Sequence, residues 1–339
     1  MSTAPGSSLT LLLSAEALRR WGDRIAAAVP AGSLRFLTAE EAGASEGESA
    51  ADIAFMTREV TGKSGRGTPS PERVNFDAVV RRSPRLKWLQ IHPAGADRPI
   101  YAELAERGVK VTTASGATAV TVSHSILGGV IAVNRRFPLL ADAQRRHAWE
   151  PRLGERSPRD FKGQHAVVVG LGPIGQSLAP LLGMLGMSVT GVRRKAEPVA
   201  GCQRTITYAD LDAVLPSTDW LILCCPASPV TRGLGNAARF AAMPRGSHVV
   251  NAARGTVVVE RDLISALQSG HIAGAYLDVF DHEPLDAASP LWDMPNVIVS
   301  PHTASHSLGQ ADAVFDIFLD NLARFRSGRE LRNDIGRLE

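Results

Sequence analysis

The chain reads as an α/β protein built from two doubly wound parallel-sheet domains, and three observations predict this. Short apolar runs alternate with helical patterns almost throughout, as expected for parallel strands joined by crossover helices. The 339 residues, 44% of them hydrophobic, are enough for two cores. Midway along the chain a glycine triplet, Gly170-Leu-Gly172-Pro-Ile-Gly175, opens a second alternating series.

In the first series the expected strands are 9–13, 34–37, 53–56, 86–91 and 109–112, with helices 15–29, 75–82 and 100–106 between them. The apolar start, 1–13, has no basic n-region or small-residue cleavage site, so it reads as a first strand rather than a signal peptide. Residues 61–73 form a basic loop rich in Gly, Ser and Pro. Its Gly62-Lys63-Ser64 matches only the end of a P-loop, because Thr57 stands where the first glycine belongs. A long apolar helix over 118–136 carries the chain out of the first domain, and 137–162 is expected to be polar and irregular.

The second series predicts strands 165–169, 188–192, 219–224, 247–252, 273–278 and 296–300. Its helices fall at 173–186, 209–215, 237–243 and 260–269, and an amphipathic helix over 312–326 ends the chain.

Composition excludes several function classes. Charged residues are 21% and the net charge is +3, so there is no concentrated basic stripe for nucleic acid. No apolar run reaches the roughly 18–20 residues that span a bilayer. Cys202, Cys224 and Cys225 are odd in number and two are adjacent, which gives neither a disulfide framework nor a metal spacing. A reduced, cytoplasmic setting is expected.

Gly170, Gly172 and Gly175 follow a strand and open a helix. In that context the first glycine permits the tight turn, the second admits a pyrophosphate, and the third allows close helix–strand packing. The helix N-terminus adds N–H donors and a positive dipole end. About 20 residues on, an acid would take a free ribose 2′-OH. The strand instead ends Val192-Arg193-Arg194-Lys195. Guanidinium groups suit a 2′-phosphate, so NADP(H) is expected in preference to NAD(H), with NAD(H) as the alternative.

Arg254, Glu283 and His302 end three successive strand-like runs, where the ligand crevice of such a sheet lies. An Arg can hold a 2-oxo acid and polarise its carbonyl. A His can give the new alkoxide its proton, and a Glu beside it orients the ring and favours its protonated form. Together behind a dinucleotide loop, the three are the parts of a hydride-transfer site.

With these residues in place the chain resembles the D-isomer-specific 2-hydroxyacid dehydrogenases over nearly its whole length. The matching stretches are Gly170–Gly175, Val250-Asn-Ala-Ala-Arg-Gly255, the run from Ser269 to Phe280, Glu283-Pro-Leu285 and the run from Ser289 to His302. The resemblance implies a Rossmann cofactor domain, 118–302, inserted into a flavodoxin-like substrate domain, 1–117 and 303–339. It implies Arg254 as substrate-binding and polarising residue, Glu283 as the partner of the histidine, and His302 as acid/base. Cofactor contacts would come from Gly170, Gly172, Pro173, Ile174, Gly175, Arg193, Arg194, Cys225, Pro226, Thr231, Ala252, Ala253, Asp278 and Ser305, with Asp278 near the nicotinamide carboxamide. The loop Pro93-Ala94-Gly95-Ala-Asp97 would take the substrate carboxylate on backbone N–H groups, and Arg58 would add positive potential. A homodimer through the cofactor domain is implied as well.

The chain departs from the family pattern at three places, one of them the 61–73 loop, which is longer than usual. Val122-Ser-His124-Ser125 replaces a usual Val-Ala-Glu-His, which alters inter-helix contacts rather than chemistry. Val259 replaces an Asp after the arginine motif. The remaining histidines, including His147, His165, His248, His271 and His306, are expected at the surface or at strand edges, while His92 adjoins the Pro93 loop. The activity expected is reduction of a small 2-oxo acid of glyoxylate or hydroxypyruvate type. The alternative is a co-repressor-like or sensor protein that binds the dinucleotide with little turnover. Formate dehydrogenase is disfavoured, since that branch pairs its His with Gln.

Overall fold

Helix and sheet follow from where apolar side chains can be buried. A computed structural model describes residues 8–62, 69–151 and 157–337; residues 1–7 of the expected first strand and 63–68 of the basic loop lie outside the described residues. The chain forms two compact units, Met1–Ala117 with Ser307–Glu339, and Thr118–His306.

The first unit runs β1 (Leu9–Leu13), α1 (Ala15–Ala27), β2 (Leu34–Thr38), α2 (Ala39–Gly43), β3 (Ile53–Met56), α3 (Arg58–Thr61), α4 (Pro71–Arg81), β4 (Trp88–Ile91), α5 (Pro99–Glu106) and β5 (Lys110–Thr112). Among the described residues its strands form one parallel sheet in the order β2-β1-β3-β4-β5, the flavodoxin-like order. Central strands β3 and β4 are buried at every position, as a parallel sheet covered on both faces requires.

Helix starts are set by side-chain caps. Ser14 Oγ accepts the Ala17 N–H at 3.0 Å. Ser70 Oγ accepts that of Arg73 at 3.2 Å, with Pro71 in the first helical turn. The basic loop is therefore shorter than expected: Arg73 is helical and buried, its Nε bound to Asp77 at 2.8 Å and its Nη2 donating to the Tyr101 hydroxyl at 3.2 Å.

The second unit runs α6 (Ala119–Asn134), α7 (Phe137–Arg145), β6 (His165–Val169), α8 (Pro173–Met184), β7 (Ser188–Val192), β8 (Arg204–Ile206), α9 (Leu211–Val214), β9 (Trp220–Leu223), α10 (Ala237–Ala242), β10 (Ser247–Asn251), α11 (Glu260–Gln268), β11 (Ile272–Leu277) and β12 (Val297–Val299). The strand order β12-β11-β10-β9-β6-β7-β8 is parallel throughout. It is the Rossmann order with one further strand beyond the sixth. Residues 137–145, expected to be irregular, are helical, with Pro138 in the first turn where a missing N–H costs nothing. β8 was not expected: three residues at the sheet edge are too few for a periodic signal.

The last α-helix among the described residues is α12 (Gln310–Arg326), whose Phe315, Phe318 and Phe325 pack in the first unit. Phe55 stacks on Phe318 at 4.3 Å, Trp21 on Phe315 at 5.0 Å and Trp88 on Phe325 at 5.5 Å. Such pairs add about 0.5–1.5 kcal/mol each beyond area burial.

Candidate active site

The second unit's sheet delivers its loops on one edge. β10, β11 and β12 are adjacent and parallel, so Arg254, Glu283 and His302, each shortly after one of these strands, come from neighbouring strand ends. The turn after β10 is set by Asn251, whose Oδ1 accepts the Ala253 N–H at 3.1 Å while its Nδ2 donates to Arg254 O at 3.2 Å. Arg254 Nη1 donates to Ala253 O at 2.8 Å. Gly255 lets this turn press on the next: an added Cβ there would lie 1.9 Å from the carbonyl carbon of Phe280.

Beyond that contact, the Phe280 N–H donates to Glu283 Oε1 at 3.1 Å. The other oxygen, Oε2, lies 2.7 Å from His302 Nδ1. The Glu283 side chain is 14% exposed and that of His302 42%. A carboxylate on Nδ1 fixes that nitrogen as the donor, so Nε2 is the atom left for proton exchange. His302 itself sits at φ 56°.

The dinucleotide loop has the shape its glycines predict. Gly170 has φ 102°, and an added Cβ would meet Cys225 Cα at 2.6 Å. Gly175 lies against Gly170 O. Around Gly172 nothing stands within 4 Å of an added Cβ, so its outer side is open to a ligand. Gly172 is the N-cap of α8 and brings no side chain to its first-turn N–H groups, which suits a phosphate there. Cys224 Sγ donates to Gly170 O at 3.1 Å and Gln176 Nε2 to Leu171 O at 2.9 Å. Pro173 is exposed and Ile174 half-buried on the opening turn. These residues fit a dinucleotide.

At the end of β7, Arg193 is half-buried and Arg194 exposed. Arg193 Nη1 pairs with Glu197, an acid four residues further on, at 3.7 Å. Cys225 is buried and Pro226 exposed. The Thr231 hydroxyl closes the loop after β9, donating to Pro226 O at 2.7 Å. Ala252 and Ala253 line the turn after β10, and Ser305 is half-buried after the histidine loop.

The family model for the D-isomer specific 2-hydroxyacid dehydrogenase NAD binding domain matches residues 127–304. A glyoxylate/hydroxypyruvate reductase B of Klebsiella pneumoniae is 32% identical over 266 residues, which is 78% of this chain and 82% of that protein. The chain belongs to the D-isomer specific 2-hydroxyacid dehydrogenases. It is thus an oxidoreductase that works with a nicotinamide dinucleotide. Solved structures share its fold. A family member from Xanthobacter autotrophicus, in complex with NADPH and MES, is 31% identical with a TM-score of 0.75, covering 97% of this chain and 98% of that one. An NADPH-dependent glyoxylate/hydroxypyruvate reductase from Sinorhizobium meliloti, in complex with NADP and sulfate, is 28% identical with a TM-score of 0.76, covering 98% and 99%.

Asp278 has a role in this family member that sequence reasoning missed. It is buried at the end of β11 and accepts bonds from the 300–304 loop. Burial pushes its carboxyl upward, opposed by the Ser300 hydroxyl and the Thr303 and Ala304 N–H groups, which favour the anion. The altered helix α6 is also explained: Ser123 bonds Ser177 of α8 at 2.9 Å, Ser125 donates to Ala304 O at 2.9 Å, and His124 is exposed. Val259 is the N-cap of α11 and offers no side-chain acceptor.

His248 corrects an expectation. It is not at a strand edge in the open. β10 and β9 place it opposite Trp220, on whose ring it stacks at 4.2 Å.

In the first unit, Arg58 starts α3 and donates from Nη1 to Gln310 Oε1 at 3.0 Å. Ala94 is exposed and Gly95 half-buried in the loop after β4, which follows the buried His92. Among the described residues no group of three His, Cys, Asp or Glu could hold a metal ion, and no helix is long and apolar enough to cross a membrane.

Proposed function

We propose that the chain is an NADPH-dependent reductase of small 2-oxo acids of the glyoxylate/hydroxypyruvate type, forming the D-2-hydroxy acid. The observation that carries this is the His302 Nδ1–Glu283 Oε2 pair at 2.7 Å, one strand end from the Arg254 turn and in the same unit as the dinucleotide loop. The reductase activities of the relatives in Klebsiella pneumoniae and Sinorhizobium meliloti support the substrate class.

The second unit is the dinucleotide domain and the first the substrate domain. A nicotinamide dinucleotide held by the Gly170–Gly175 loop would supply the hydride for C2 of the substrate. Arg254 takes the substrate carboxylate and 2-oxo oxygen on its guanidinium and draws charge toward that oxygen. His302 gives its Nε2 proton to the oxygen as the C–O bond becomes single, and Glu283 on Nδ1 holds the ring's orientation. The N–H groups of Ala94 and Gly95 take the carboxylate, and Arg58 adds positive potential.

Gly170, Gly172, Pro173, Ile174 and Gly175 hold the pyrophosphate, and Arg193 and Arg194 the 2′-phosphate. Cys225, Pro226 and Thr231 flank the adenosine side. Ala252, Ala253, Asp278 and Ser305 border the nicotinamide side.

Homodimerisation through the second unit is part of the same reading. It is supported by the exposed apolar side chains Phe137 (50%), Leu140 (43%) and Trp149 (96%) on and after α7. A cytoplasmic setting fits three cysteines that are all free. The co-repressor-like alternative gains no support from these relatives. NADPH oxidation with a panel of 2-oxo acids tests the proposal. Turnover of glyoxylate or hydroxypyruvate is expected, and tight NADPH binding without turnover of any member would overturn it.

A further inference from the structure

The loop that carries His302 is gathered around a single oxygen atom. Asp278 Oδ1 accepts from Ser300 Oγ at 2.6 Å, from Thr303 N at 2.9 Å and from Ala304 N at 3.0 Å. The main-chain oxygen of the same residue accepts the His302 N–H at 2.9 Å. Because the Ser300 proton goes to the carboxylate, Thr303 must donate its own to Ser300 Oγ, 3.0 Å away. On the far side of the loop Ser125 of α6 holds Ala304 O.

Within this hoop His302 occupies the left-handed region at φ 56°. For a residue other than glycine that conformation is strained, and it persists only where the surroundings over-determine it. The bonds to Asp278 are those surroundings. Ser300 is the one side chain among the three donors to Oδ1, and its hydroxyl joins the carboxylate and Thr303 into one network.

We propose that Ser300 is a positioning residue for His302: through Asp278 Oδ1 its hydroxyl locks the 300–304 loop so that the imidazole keeps one orientation on Glu283. The inference rests on His302 as the proton donor. The titratable groups bonded to the ring and its loop are Glu283 on Nδ1 and Asp278 behind the backbone. Neither of them is replaced in the test.

The test compares full-length wild type, Ser300→Ala and Ser300→Thr. The readouts are kcat, KM, NADPH affinity by fluorescence titration, melting temperature, and the His302 imidazole signals in ¹H–¹⁵N NMR. Loss of the lock is expected to lower kcat by about 10- to 100-fold, the scale of a small misplacement of a reacting group. KM and NADPH affinity should hold, the His302 signals should shift or broaden, and Ser300→Thr should restore both kcat and the signals. Unchanged kcat and imidazole signals in Ser300→Ala would overturn the proposal. So would a fall of kcat, NADPH affinity and melting temperature together that Ser300→Thr does not rescue. If wild type itself turned over no 2-oxo acid, the functional reading would fail, while the imidazole signals would still decide this inference.

Discussion

Gly255 and the carbonyl of Phe280 are so close that a methyl group cannot stand between them: an added Cβ would lie 1.9 Å from both the carbonyl carbon and oxygen. This contact couples the turn bearing Arg254 to the turn from which Glu283 reaches His302. Gly255→Ala must push one of the two backbones away. Overpacking of this kind costs about 1–3 kcal/mol, and the melting temperature should fall accordingly. The decisive readout is kinetic. kcat/KM for the 2-oxo acid should drop more than NADPH affinity, whereas wild-type kcat/KM in a folded Gly255→Ala protein would show that the two turns move independently.

Cofactor choice, in the function proposed, rests on a pair of guanidinium groups. Arg193 and Arg194 follow β7 where an acid would read a free ribose hydroxyl. A hydrogen bond to a charged group contributes about 1.5–3 kcal/mol. The double variant Arg193→Ser, Arg194→Ser should therefore weaken NADPH binding by at least about tenfold, with NADH binding little changed. Equal losses for both dinucleotides would place these arginines away from the 2′-phosphate. Glu197 competes for Arg193, so Glu197→Gln should tighten NADPH binding in the otherwise intact chain.

Acid stability follows from His248. Burial and then the nearby Arg159 charge lower its pKa from 6.5 to about 4, with Arg136 adding to the effect and Asp219 opposing it. The unfolded chain binds the proton more readily than the folded one. Stability from this group is thus fully present above about pH 6.5 and is lost as pH falls toward 4. The span corresponds to roughly 3 kcal/mol. Urea unfolding midpoints across that window should fall in the wild type and fall less in His248→Phe, which keeps the stack on Trp220. A parallel decline in both proteins would assign the acid lability to other groups.

Much of this was legible in the sequence, because the relevant physics is local. A buried parallel strand is a short apolar run, and a dinucleotide loop is three glycines at fixed spacing, so β6 and α8 were found from Val167 to Gly175. The residues that failed depend on register or on single bonds between distant elements. His248 looks like a strand-edge residue until β9 sets Trp220 against it. Residues 137–145 look irregular because charges and Pro138 interrupt the apolar pattern, although proline is well tolerated in a first turn. Arg73 looks like part of a basic loop, since nothing in its neighbourhood reveals the Tyr101 hydroxyl that helps to bury it. Asp278 was placed by resemblance near the cofactor, but its bonds to the 300–304 backbone emerge only when β11 and β12 lie side by side.

The central claim is that His302, oriented by Glu283, delivers the proton to the substrate oxygen. The most direct test is kcat of His302→Ala with NADPH and the best 2-oxo acid, measured beside NADPH affinity in the same protein. kcat should fall by about 10²–10⁴-fold, the usual span for losing an acid/base group, while the dinucleotide still binds as in wild type. Near-wild-type kcat in His302→Ala would contradict the account.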